Sequence, residues 1–289
     1  MYYLLSLIMG ILISVMIAFN GGLTQLYGVY SATVIIHIVG LVIITLVALV
    51  KRDRLFSKRF AWFLYLGGAI GVLTTVFNNI SFGRISVSAI LALGLLGQSI
   101  AGLVIDQYGL LGMSKHPFTK NKLIGLLLII IGIASMINSF EIVAVIVSFV
   151  AGVSIVISRT LNAKLSDFTN VRISTFYNYL VGLVISIFAF LLLGRNEMVL
   201  AFVISPNWYI YLGGMLGVVV VLMGNIIVVK ISAFYLTLLI FIGQVFSGVL
   251  IDIVISRELS SRNLIGAVLV SIGLCVNLML DNKNHTTNE

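Results

Sequence analysis

The chain has 289 residues, 61% of them hydrophobic and only 9% charged, and its mean hydropathy is +1.21. Soluble domains are about 45–50% apolar and about 25% charged, so this composition excludes an ordinary soluble enzyme and makes the bilayer the fitting solvent. The formal net charge is +8, from 17 basic and 9 acidic residues. The basic residues sit in short loops between apolar runs, a pattern of membrane orientation and not of nucleic-acid binding.

The chain opens MYYLLSLIMG, with no basic residue and no small-residue cleavage site, which reads as a retained first span. Ten apolar segments follow: 4–20, 31–50, 61–80, 86–106, 123–138, 141–158, 173–193, 208–229, 232–254 and 264–280. A span needs about 20 apolar residues, and helices pair every backbone group within the hydrocarbon, so the expected fold is an all-α bundle of ten transmembrane helices. DNKNHTTNE at the end reads as a solvated tail. With the N-terminus inside, inside loops hold 13 basic residues and outside loops hold four, Arg84, Arg195, Arg257 and Arg262. That contrast puts both termini in the cytoplasm.

The sequence repeats itself. Residues 62–106 align with 208–252 at an offset of 146, with 17 identities in 45 positions, among them Trp62/Trp208, Asn79/Asn225, Gln98/Gln244 and Asp106/Asp252. Upstream the offset is 142, pairing Asn20 with Asn162, and downstream it is 141. Each copy has five spans, an odd number, so the second copy must enter the membrane upside down. The expected organisation is a first five-helix repeat over 1–138 and a second, inverted one with the short polar tail over 139–289. Inverted repeats with a site at their interface are characteristic of secondary transporters.

The run G97QSIAGLVIDQYG109 and its echo G243QVFSGVLID252, the asparagines in N20GGL23 and N162AKL165, and the W-x-x-x-G-G-x-x-G opening of the third span together resemble the drug/metabolite transporter superfamily, within it the YdcZ-like family. The resemblance covers nearly the whole chain, which looks like a fused pair of five-span units. It implies a bacterial inner-membrane carrier or exporter, with the cavity lined mainly by spans 1–4 of each half and the fifth spans peripheral.

Several residues could carry chemistry. Gln98 and Gln244 sit mid-span, where an amide needs a partner or water; they read as cavity-lining groups or as helix–helix glue. Asn20, Asn79, Asn162 and Asn225 line the cavity or terminate helices. His37 lies in an apolar run opposite Tyr179 in the repeat, as a proton relay or a packing residue. Asp106 and Asp252 end their spans, where an acid opposes its own helix dipole. They are expected to pair across the repeats with Lys230 and Arg84, as gates or in proton coupling. Gly67, Gly71, Gly97, Gly102, Gly213, Gly217, Gly243 and Gly248 are expected to serve helix packing.

No P-loop, zinc motif or catalytic set occurs, so no enzyme activity, cofactor or metal is expected. The partners expected are the lipid bilayer, a small solute, protons, and a second copy through spans 5 and 10. The reading is a secondary carrier that exports a small organic solute by alternating access with proton coupling. An uncoupled channel, or a non-transporting scaffold or lipid-handling protein, is the alternative. Amides dominate the expected cavity, which suits a neutral, zwitterionic or amphipathic solute.

Overall fold

A computed structural model describes residues 1–56, 60–110, 122–137, 141–197, 204–227, 233–257 and 260–286. Ten α-helices occur among them, one for each apolar segment of the sequence. They are α1 (Tyr2–Tyr27), α2 (Val29–Val50), α3 (Leu66–Ser81), α4 (Val87–Tyr108) and α5 (Lys122–Met136), then α6 (Ile142–Phe168), α7 (Val171–Leu193), α8 (Gly213–Ile227), α9 (Ala233–Ser256) and α10 (Ser261–Thr286). Single 3-10 turns, Trp62–Tyr65 and Trp208–Leu212, lead into α3 and α8. Among the described residues, six helical stretches are long and apolar enough to cross a membrane.

Local signals explain several ends. The Ser86 hydroxyl accepts the Ala89 N–H and caps α4, and the Asn170 side chain accepts the Ile173 N–H and caps α7. Gly109 closes α4 with φ +62, a left-handed conformation that glycine adopts without penalty. Three ends differ from the sequence reading. Helices α1 and α6 run on to Tyr27 and Phe168, because an asparagine or arginine inside protein does not stop a backbone ladder that hydropathy alone ends. Helix α10 continues into the polar tail as far as Thr286.

The chain forms two compact units, and each draws on both halves of the sequence. The first contains Met1–Val15, Ser81–Val153 and Ile226–Glu289. In it α4 packs on α9 and α5 on α10, around Ile129, Ile133, Phe241, Val245 and Val270. Ser88 meets both Gly248 and Asp252 while Leu91 meets Gly248, so α4 and α9 run antiparallel. Gly132 lies against Gly266 and Gly273 against Gly125, so α5 and α10 do too.

The second unit contains Met16–Ile80 and Ser154–Asn225. Here α2 packs on α7, with His37 against Gly182 and Tyr179 against Gly40, again antiparallel. Its core holds Ile44, Leu165, Phe176 and Val218.

Within each unit the close contacts come in twins. In the first, a Cβ at Gly10 would overlap the Ile240 carbonyl, and one at Gly152 would overlap the Gly94 carbonyl; Gly243 meets Leu7 as Gly97 meets Phe149. In the second, Asn20 lies against Gly213 as Asn162 lies against Gly67, and the Ile36 carbonyl meets Gly214 as the Asn178 carbonyl meets Gly68. Every member of a twin maps onto the other through the sequence offsets 142 and 146. Small residues let the backbones approach this closely, the packing that replaces hydrophobic attraction between helices in lipid.

Candidate functional site

The second unit carries a chain of buried and half-buried polar groups. Asn162 on α6 donates Nδ2 to Asn178 Oδ1 on α7 at 2.8 Å, and Ser158 Oγ, one turn earlier on α6, donates to the Gly67 carbonyl of α3 at 2.7 Å. Asn79, buried near the end of α3, donates Nδ2 to Thr33 Oγ1 on α2 at 3.2 Å. Asn20 is buried within α1, and its Oδ1 has no hydrogen-bond partner among the described residues. Neither Asn20 nor Asn162 terminates a helix. Both lie well inside continuous ones, with their oxygens turned onto Gly213 and Gly67.

His37 and Tyr179 are both buried, with ring centroids 5.9 Å apart. His37 Nδ1 is 2.8 Å from the Thr33 carbonyl, so this nitrogen carries the proton and donates. The Tyr179 hydroxyl donates to the Gly214 carbonyl at 3.3 Å and sits against Gly217. The two rings occupy spaces left by Gly182 and Gly40, which is the packing alternative for His37.

In the first unit Gln98 is half-buried on α4 and Gln244 is buried on α9, helices that pack together. The Gln244 carbonyl accepts Ser14 Oγ at 2.7 Å. Gly97, Gly243 and Gly248 make close helix contacts, whereas among the described residues nothing lies within 4 Å of the Gly102 Cβ position. Gly71 also packs more loosely than its twin, with Ser158 Oγ at 3.5 Å and Asn178 Oδ1 at 3.6 Å from its Cβ position.

The Asp252 carboxylate on α9 accepts the Val87 N–H at 2.6 Å, the Ser88 N–H at 3.0 Å and the Ser88 hydroxyl at 2.5 Å, and Asn263 Nδ2 approaches at 3.4 Å. An acid that opposes its own helix dipole is thus placed at the favourable N-terminus of α4. Arg84 is exposed in the turn before α4. The side chains of Asp106 and Asn225 and the whole of Lys230 lie outside the described residues.

Two further carboxylates hold the starts of α2 and α7. Glu197, after α7, accepts the N–H groups of Val29, Tyr30 and Ser31 at 2.9–3.0 Å. Asp53, after α2, accepts Arg172 Nε at 2.5 Å, Arg172 Nη2 at 3.0 Å and Asn170 Nδ2 at 3.1 Å. The Arg172 guanidinium holds the Asp53 carboxyl below its usual value of 3.8, and Asn170 adds to this.

The sequence matches, over residues 1–135 and 143–276, the family described as "Putative inner membrane exporter, YdcZ". The chain belongs to the YdcZ family. A solved structure described as "Crystal structure of protein" is 14% identical, spans 96% of this chain and 98% of its own, and superposes at a TM-score of 0.67, a likeness of fold. No curated protein matches the chain. Family and apolar helices together make this YdcZ-family chain a multi-pass integral protein of the inner membrane.

Reasoning from the repeat left two groups of this YdcZ-family protein in the background. Ser158 and Arg159 stand where the first copy has Met16 and Ile17, so a search for polar twins passes over them, whereas Asn178 is legible as a polar residue within an apolar span that could face the pathway. Glu197 and Asp53 are not offset partners; only the lengths of the loops after α7 and α2 bring them to helix starts.

Proposed function

We propose that this chain is a secondary carrier that exports a small organic solute by alternating access, coupled to protons. In this reading its halves, 1–138 and 139–289, are inverted five-helix repeats, and both termini are cytoplasmic. The observation that carries it is the twinning of contacts: glycine and asparagine contacts of one half recur in the other at the repeat offsets. The antiparallel packing of α2 on α7, α4 on α9 and α5 on α10 supports opposite insertion of the two copies, since counterpart helices point in opposite directions. Symmetry-related halves give a carrier two alternative states of similar energy. The family description supplies export. The excess of basic residues in the loops counted inside supports the cytoplasmic termini.

The solute would meet the amides of Gln98 and Gln244, while Asp252 would hold a helix start that moves or releases in the cycle. Metabolite profiles of cells and medium test this, comparing the native chain with empty vector and with Gln98→Leu/Gln244→Leu at matched abundance. The expected result is a solute that leaves cells only with the native chain and faster under an inward proton gradient. No difference across several media would overturn the carrier, and flux indifferent to the gradient would point to an uncoupled facilitator.

A further inference from the structure

The connection between α2 and α3 begins with a strained arginine. Helix α2 ends in two nested turns, in which the Arg52 N–H donates to the Leu49 carbonyl and the Asp53 N–H to the Ala48 carbonyl, both at 2.9 Å. Arg52 itself takes φ +57. This is the left-handed position after a helix, where glycine is the default and a side chain is strained. By the offset of 142 its twin is Gly194, which closes α7 at φ −99. Glycine thus stands where no special freedom is needed, and arginine where it is. Membrane orientation asks only for positive charge somewhere in the loop. It does not explain an arginine held left-handed, and strain of this kind points to a use.

Arg52 is one of a group. Lys51, Arg52 and Arg54 are exposed and have no carboxylate partner among the described residues, the Asp53 carboxylate between them being taken by Arg172. Aromatic rings stand at the same end. Phe56 packs edge-on against Phe176 and Tyr177, with centroids 5.5 and 6.3 Å apart, and Phe60 and Tyr65 reach the same Tyr177 ring at 6.5 and 5.1 Å. That shared ring brings the chain after Arg54 together with the turn Trp62–Tyr65. Phe56 is 72% and Trp62 74% exposed, which is more aromatic surface than water favours. The twin turn is aromatic and exposed too, at Trp208 and Tyr209. Its loop, however, carries only Arg195 and Glu197 as charges, and Glu197 is spent on the start of α2. The rings are common to both copies; the cations belong to the first.

We propose that Lys51, Arg52 and Arg54, with Phe56 and Trp62, form a docking surface for an anionic phospholipid. Its phosphate meets the cations, and a guanidinium matches phosphate in bidentate geometry. Its glycerol and upper acyl region cover the rings, which suit headgroup depth. A soluble anion would satisfy the cations and leave Phe56 and Trp62 in water; a lipid answers both. In the orientation proposed above, this end meets the cytoplasmic leaflet, whose anionic lipids attract basic groups beside a span. Such a surface would serve a carrier, a channel or a scaffold alike.

The chain's two tryptophans make the test local. Trp208→Phe leaves Trp62 as the reporter, and Trp62→Phe leaves its twin. Each full-length variant is placed in bilayers of phosphatidylcholine with phosphatidylglycerol, one of the two lipids carrying brominated acyl chains that quench a neighbouring indole. Trp62 should be quenched more by brominated phosphatidylglycerol than by brominated phosphatidylcholine at equal mole fraction, and Trp208 should not. Arg52→Gly removes a charge at a φ that glycine adopts freely. It should raise Tm and weaken the phosphatidylglycerol preference about 5-fold, the worth of one cation near a charged surface. Lys51→Gln/Arg52→Gly/Arg54→Gln should abolish the preference, and Arg195→Gln should leave it intact. Equal preference at Trp62 and Trp208, or a preference that survives the triple variant, would overturn the proposal. So would a loss in Arg195→Gln as large as in Arg52→Gly, which would mean diffuse charge, or a lower Tm in Arg52→Gly, which would mean that the fold itself holds the arginine. Erasure of the preference by glycerol 3-phosphate at constant ionic strength would assign the cations to a soluble anion and overturn it as well. If the triple variant does not fold, Arg52→Gly decides alone.

Discussion

The Asp252 carboxylate near the end of α9 accepts the Val87 N–H in the first turn of α4 at 2.6 Å. Helix starts leave their first N–H groups without intrahelical partners, and here a second helix supplies the acceptor. Removing it leaves the N–H groups of Val87 and Ser88 without that acceptor. Asp252→Ala should therefore cost about 1–3 kcal/mol, read as a lower Tm in detergent, with Asp252→Asn intermediate because one oxygen remains. A Tm equal to that of the native chain in Asp252→Ala would refute the clamp.

Glycine positions separate close packing from open space along one helix. A Cβ at Gly97 would overlap the Phe149 carbonyl, whereas among the described residues nothing lies within 4 Å of one at Gly102. Gly97→Ala should lose about 1–3 kcal/mol by overpacking, and Gly102→Ala should be neutral or slightly stabilising, since alanine is the better helix former. Thermal unfolding of the two variants side by side checks this. Equal losses would show that Gly102 meets a neighbour after all.

The sequence carried the helix count and the pairing of the repeats because packing residues recur: Gly67 with Gly213, Asn20 with Asn162, Gly97 with Gly243. Each is fixed by a backbone or side chain that must approach closely, so both copies keep it. What stayed hidden breaks that symmetry or acts at long range. Hydropathy ends the sixth segment at Ser158 and so puts Arg159 in a loop, yet the backbone ladder of α6 continues to Phe168. Asp252 looked unfavourable from its own helix alone; only the antiparallel packing of α9 on α4 shows which dipole it serves.

The Asp53–Arg172 pair predicts a pH dependence of defined sign. The folded pKa of Asp53 is lowered, with the Arg172 hydrogen bond the largest cause. A lowered carboxylate pKa stabilises fully above the unfolded value near 3.8 and loses that contribution as pH falls through the folded value. The Arg172 side chain is 35% exposed, so solvent screening limits the pair to about 0.2–1 kcal/mol. Asp53→Asn should be less stable than the native chain at pH 7 and indistinguishable from it at the acid end of the range, below the folded pKa. A gap that persists there would assign the effect to something other than this charge.

His37 can be separated from a proton carrier by its neighbour. Its ring fills the space left by Gly182, as Tyr179 fills that left by Gly40. Gly182→Ala should collide with the imidazole and destabilise the chain, and in a His37→Ala background the same substitution should cost much less. The coupling in this double-mutant cycle should be about 0.5–3 kcal/mol, the range for residues in direct contact. Additive losses would deny the contact. A second readout addresses the chemistry: Nδ1 is committed to the Thr33 carbonyl at 2.8 Å and the ring is shut in between Gly182 and Tyr179. His37→Gln should therefore leave the pH profile of export unchanged even where its rate falls, whereas a shifted profile would return the histidine to the proton path.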